Sequence, residues 1–147
     1  MSEHYISSFV SIQHNSIFID GNLVFEKDAN LNLKAFLKEA YMFLKMTYPK
    51  FHKMDAMCKL GILGSEILQQ KYDFQNDMAL VFSNAASSLE TDRKHQDSLA
   101  TFPSPATFVY TLPNIVLGEI SIKYNLQSEN IFFVSEKFDA QLLYDYT

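Results

Sequence analysis

Residues Ile131, Phe132, Phe133 and Val134 are apolar at every position, with Ser128, Glu129 and Asn130 before them and Glu136 and Lys137 close behind. A strand with one wetted face alternates polar and apolar residues. An unbroken apolar run predicts a strand covered on both sides, as in a parallel sheet between helical layers. Residues 78–82 form a second short apolar run without helical period and predict another buried strand.

Helical signals separate these runs. Residues 32–45 place Leu33, Phe36, Leu37, Ala40, Met42 and Leu44 on an apolar face. Tyr48-Pro49 predicts the stop, because the residue before proline avoids helical geometry. Residues 55–72 predict a second helix with Asp55 as N-cap and Leu60, Leu63, Ile67 and Leu68 as its stripe. Gly61 and Gly64 inside it predict close approach of another backbone, which would offset the roughly 1 kcal/mol each costs a helix.

Residues 89–99 read as a charged, solvent-facing helix and 101–105 as a Pro-rich loop. Thr111 and Pro113 predict the start of a helix that carries Leu112, Ile115, Val116, Leu117 and Ile120 and ends at Asn125 or Ser128. Residues 136–146 predict a last helix, with Glu136 near its positive end. Residues 5–12 predict a first strand, and 13–22 a polar segment with the Asp20-Gly21 turn signal. Strands alternating with helices predict an α/β domain with a layered, mostly parallel sheet flanked by helices. At 147 residues the chain fits one domain.

A net charge of −5 gives no basic footprint for nucleic acid. One cysteine, Cys58, precludes an internal disulfide and a multi-cysteine metal site. No apolar run reaches the length of a membrane span, and polar residues interrupt the first twenty positions. A cytoplasmic protein is expected. His4, His14, His52 and His95 lack the i, i+4 spacing of a helical metal pair and read as surface or boundary residues. No metal or cofactor is expected. Cys58 reads as a small buried hydrophobe, since His52 makes no recognisable nucleophile–base pair with it. Asp73, Asp77, Glu90 and Asp92 read as solubilising charge, and residues 84–88 as a loop too poor in glycine to mark an anion nest.

The series Pro105, Pro113-Asn114, Gly118 and Asn130, followed by the apolar run, resembles the segment leading to the active-site cysteine of β-ketoacyl synthases (3-oxoacyl-ACP synthases) and their chain-length-factor relatives. Lys53-Met54-Asp55 resembles the start of that family's first core helix. Residues 4–12 resemble its first strand, and 84–89 take the place of its glycine-rich loop. The resemblance implies a thiolase-like fold, of which this chain covers the N-terminal half. The opening stretch and the Phe-rich strand are most similar to the aryl-polyene and flexirubin branch.

The same resemblance brings the family's nucleophile position to Lys137, or within a residue of it, where no cysteine stands. A cysteine there would be activated by a helix start, whereas a lysine would be a cation at the positive end of a helix. Chain-length factors also lack the cysteine. The family's two catalytic histidines come from its C-terminal half, which this chain is expected to lack.

The resemblance therefore implies a catalytically inactive, truncated ketosynthase-like subunit or accessory in fatty-acid or polyketide (aryl polyene-type) biosynthesis. It implies a homodimer, or a heterodimer with a full-length ketosynthase, and an acyl carrier protein as a further partner. Ile131, Phe132, Phe133, Val134 and Ser135 are the expected dimer interface. Phe102, Phe108 and Tyr110 are a candidate acyl groove, with core packing as the competing role of these rings. The alternative function is an acyl-chain or acyl-carrier-binding module with no condensing partner.

Overall fold

The computed structural model describes residues 5–147. His4, read above as part of the first strand, lies outside the described residues. The chain forms two compact units, residues 1–73 and 74–147.

The first unit opens with an antiparallel meander, β1 (Val10–Gln13), β2 (Ser16–Ile19) and β3 (Asn22–Glu26), in that spatial order. Gln13 pairs with Ser16 and Ile19 with Asn22, so two residues make each turn. Both turns have positive φ at both positions: 48° and 57° at His14 and Asn15, 49° and 81° at Asp20 and Gly21. That is the type I′ geometry whose twist matches the strands it joins. Residues 13–22, expected as a polar segment, thus contain β2 and both turns. Ile17 of β2 is fully buried, and a bulge follows it.

Helix α1 (Leu33–Phe43) is capped by Asn32, whose side chain accepts from the Ala35 amide at 2.9 Å. It buries Phe36, Leu37 and Ala40, while Leu33 and Met42 face solvent instead of completing the expected apolar face. The helix stops before Tyr48-Pro49. Lys45 turns left-handed (φ 52°), the Met46 amide donates to the Tyr41 carbonyl and the Lys45 amide to the Met42 carbonyl. This Schellman closure satisfies the last carbonyls with a lysine where glycine is usual. Pro49 instead opens a 3-10 turn (Pro49–Lys53) that buries Phe51.

Helix α2 (Ala56–Lys71) starts where predicted, with the Asp55 carboxylate accepting from the Cys58 amide at 2.8 Å. It buries Cys58, Ile62, Leu63 and Ile67. Leu60 and Leu68 are only half-buried, so the core-facing stripe is rotated from the expected one. A Cβ on Gly64 would meet nothing within 4 Å, so no backbone approaches there. The far end of α2 is tied to the meander. Lys71 pairs with the Asp20 carboxylate, which also accepts from the Phe9 amide at 2.9 Å and the Ser8 hydroxyl at 2.8 Å. Tyr72 donates its hydroxyl to the Ser7 carbonyl at 3.1 Å.

In the second unit β4 (Leu80–Asn84) and β5 (Asn130–Val134) form a parallel pair, from Leu80 against Asn130 to Asn84 against Val134. The crossover between them carries α3 (Leu89–Leu99), α4 (Pro105–Val109) and α5 (Ile115–Tyr124). Helix α3 has the predicted bounds. Helix α4 begins on the last residue of the expected 101–105 loop; Pro105 sits at its first turn, and Ser104 caps it by accepting from the Thr107 amide. Helix α5 starts at Ile115, because the Thr111 hydroxyl closes α4 by donating to the Phe108 carbonyl at 2.7 Å. Asn125 ends α5 in a left-handed conformation, as one of the two expected stops. Val116, Leu117, Ile120, Leu126 and Tyr110 are buried.

The expected mostly parallel sheet is corrected by these pairings. Among the described residues three strands form an antiparallel sheet and two a parallel pair. The physical reason is the two I′ turns, which reverse the chain at once, whereas parallel pairing needs a crossover. The last helix is also corrected. Helix α6 (Ala140–Tyr146) begins after Asp139, whose carboxylate accepts from the Leu142 amide at 3.0 Å. Glu136 and Lys137 lie in the bend before it.

Two measurements check this account. Removing the α2 cap with Asp55→Ala is expected to lower stability by about 1 kcal/mol in urea unfolding, and Asp55→Asn by much less. The Lys71 ammonium, with the Phe9 amide and the Ser8 hydroxyl, lowers the Asp20 carboxyl to about 2. Because this lies below the ordinary value of about 3.9, its stabilisation is present above about pH 4 and is lost as pH falls toward about 2. Asp20→Asn is expected to flatten the unfolding midpoint over that window, and an unchanged slope would contradict the clamp.

Candidate functional site

The parallel pair delivers the chain to the bend where the expected nucleophile position falls. The Ser135 amide donates to the Asn84 carbonyl at 3.0 Å, so the ladder runs to the last residue before the bend. Phe82 and Phe132 face one another across it, with ring centroids 6.4 Å apart. Phe133 meets Tyr146 of α6 edge-to-face at 5.6 Å. Ile131, Phe132 and Phe133 are half-buried and Val134 is 53% exposed, so the strand is not covered on both faces as its composition predicted.

Lys137 is exposed in the bend, three residues before the first residue of α6. It does not sit at a helix start, so the expected clash with a helix dipole does not arise. No cysteine or histidine lies in β5, the bend or α6. The side-chain carboxylate that caps α6 belongs to Asp139.

At the C-terminal end of β4, Asn84 builds the turn that leads to α3. Its side chain accepts from the Ser87 amide at 2.8 Å and donates to the Ser87 carbonyl at 2.9 Å, with Ser87 left-handed at φ 51°. These bonds use side-chain chemistry to hold a turn where the resemblance implied a glycine-rich loop. Ser88 is buried, its hydroxyl within hydrogen-bond distance of the Asp92 carboxylate at 3.1 Å and the Thr111 carbonyl.

Phe102, Phe108 and Tyr110 have three different surroundings. Phe102 is 82% exposed. The Phe108 ring lies against His95 at 5.3 Å. Tyr110 is buried and its hydroxyl donates to Glu119 at 3.4 Å. Glu119 itself is buried on α5 and was not singled out from the sequence. Its signal was legible, as a lone carboxylate among Ile115, Val116, Leu117 and Ile120.

The remaining candidates are dispersed. Cys58 is 1% exposed on the core side of α2. His14 sits in the first meander turn, and His52 packs on Tyr41 at 4.7 Å. Asp73 accepts from Gln69, Glu90 pairs with Lys94, and Asp77 is exposed. Among the described residues, no three His, Cys, Asp or Glu side chains converge as a metal site, and no helix is long and apolar enough to cross a membrane.

No protein-family description and no curated protein matches this sequence. Among solved structures, the chain is similar to a ketosynthase (ApeO) in complex with its chain length factor (ApeC) from Xenorhabdus doucetiae, with a TM-score of 0.51 at 19% identity. The match covers 79% of this chain and 55% of the other, so this chain spans about half the length of the one it resembles. The β-ketoacyl synthase resemblance carried by Pro105, Pro113-Asn114, Gly118 and Asn130 is thus met by a likeness in three dimensions, and over the matched part the chain has a ketosynthase-like fold.

Proposed function

We propose that this chain is a non-catalytic, ketosynthase-like subunit that assembles with itself or with an active condensing enzyme in fatty-acid or polyketide synthesis, of the aryl polyene type. The reading takes both units together as one ketosynthase-like half. The observation that carries it is the likeness to a ketosynthase paired with a chain length factor, joined to a bend after β5 that holds Glu136-Lys137 and no cysteine. The one thiol in the sequence, Cys58, is enclosed on α2 and has no route to an acyl thioester.

The assembly surface in this reading is β5. Among the described residues its only strand partner is β4, which leaves a row of backbone groups open to another strand. Because Ser135 donates to β4, the alternation along a strand turns the Val134 amide away from β4. An acyl carrier protein is a further partner in this proposal. A second reading, an acyl-chain or acyl-carrier-binding module, is favoured by the exposure of Phe102 and Phe108.

Native mass spectrometry and light scattering on the whole chain separate these readings. A dimer that Val134→Pro converts to monomer, with the β4–β5 ladder intact, is the expected result. A monomer at high concentration that also fails to bind an active ketosynthase would sink the subunit reading, and retained lipid on that monomer would favour the second. The catalytic silence has its own check. Cys58 should react with a disulfide reagent only on unfolding, and Cys58→Ser should leave a condensation assay at the same blank level as the parent chain.

A further inference from the structure

The lysines of this acidic protein are segregated. Residues 34–59 hold six of its twelve Lys and Arg residues but only two carboxylates, Glu39 and Asp55. Both carboxylates are engaged, Glu39 with Lys27 at 3.1 Å and Asp55 in capping α2. Three of the six lysines meet at one cavity of about 250 Å³ in the first unit. It is lined by Lys34 and Lys38 of α1, Lys59 of α2, His52, and the apolar Leu37 and Phe51. No carboxylate is in the lining.

The two α1 cations stand where helix electrostatics disfavours them. Lys34 and Lys38 are one turn apart on the same face of α1, a like-charge spacing that destabilises a helix. Lys59 lies in the second turn of α2, toward the positive end of the helix dipole. Its ammonium is held 5.9 Å from the Phe51 ring centroid, and the His52 ring stands edge-on to the same ring. Three lysines converge on one concavity with a buried, fixed floor: Leu37 and Phe51 are almost fully enclosed. A bound anion offsets the repulsion between Lys34 and Lys38 and gives the Lys59 ammonium an acceptor on the same concavity.

We propose that this cavity binds a small phosphate monoester, with the phosphoryl group among Lys34, Lys38 and Lys59 and the organic part over Leu37 and Phe51. A phosphate dianion offers three acceptor oxygens to three ammonium groups, which a carboxylate with one charge and two oxygens does not match. The volume accommodates a phosphate and a group the size of one ring. The inference does not depend on the ketosynthase reading, since none of these residues belongs to β5, the bend or α6.

The test is a titration of the isotope-labelled whole chain with phenyl phosphate and benzoate, followed by amide chemical shifts. Saturable shifts confined to α1, the 3-10 turn and the start of α2 are expected, with phenyl phosphate bound about tenfold or more tightly than benzoate. The double change Lys34→Gln with Lys38→Gln, at exposed positions where glutamine keeps helix propensity, should weaken phenyl phosphate by about tenfold or more. Lys123→Gln, on α5, should not. Equal binding of the two probes, an unchanged affinity in the double variant, or shifts spread over lysines throughout the chain would each overturn the proposal.

Discussion

The functional reading rests on the hydrogen-bonded ladder between β4 and β5. Five residue pairs in register join segments that are far apart in sequence, and everything between them must fold so as to let them meet. The ladder brings the Asn84 turn to the same end as the bend after Val134, because parallel strands finish together. It also leaves backbone groups of β5 without a strand partner on the other side. One constraint thus sets both the place where chemistry would be expected and the edge where another chain could add.

Helices with side-chain caps were the most legible part of the sequence. Asn32 and Asp55 each place an acceptor over the first orphan amides; Asp55 marks the start of α2 as predicted, and α1 begins within a residue of its expected start, with Asn32 as a cap the helical periodicity did not name. The stop of α1 was misplaced because a left-handed lysine closes it, and lysine carries no sequence signature of that conformation. The meander was obscured for a similar reason. Asp20-Gly21 announces a reversal, but His14-Asn15 does the same with residues that rarely advertise it, so β2 was hidden between two turns.

The site was less legible than the fold. The run from Ile131 to Val134 correctly marks a strand, yet its apolar composition overstated its cover, since half-buried and fully buried strands can share a composition. The last helix was started too early because Asp139, four residues before Leu143 and three before Leu142, was not weighed as its cap. The lysine cavity was invisible to periodicity, because α1, the 3-10 turn and α2 bring together positions that no single helical wheel joins.

The turns of the meander have a consequence for how the polypeptide acquires its shape during synthesis. Hairpins closed by two residues need only short excursions of the chain and form in microseconds. The meander can therefore close soon after its residues leave the ribosome. Leu80–Asn84, by contrast, has no strand to pair with until Asn130–Val134 has been made, and long-range pairing of this kind is slow. Phe82 and Leu80 remain wet through that interval, so the later half of the molecule is where a crowded cell has the greatest opportunity to trap it in the wrong association.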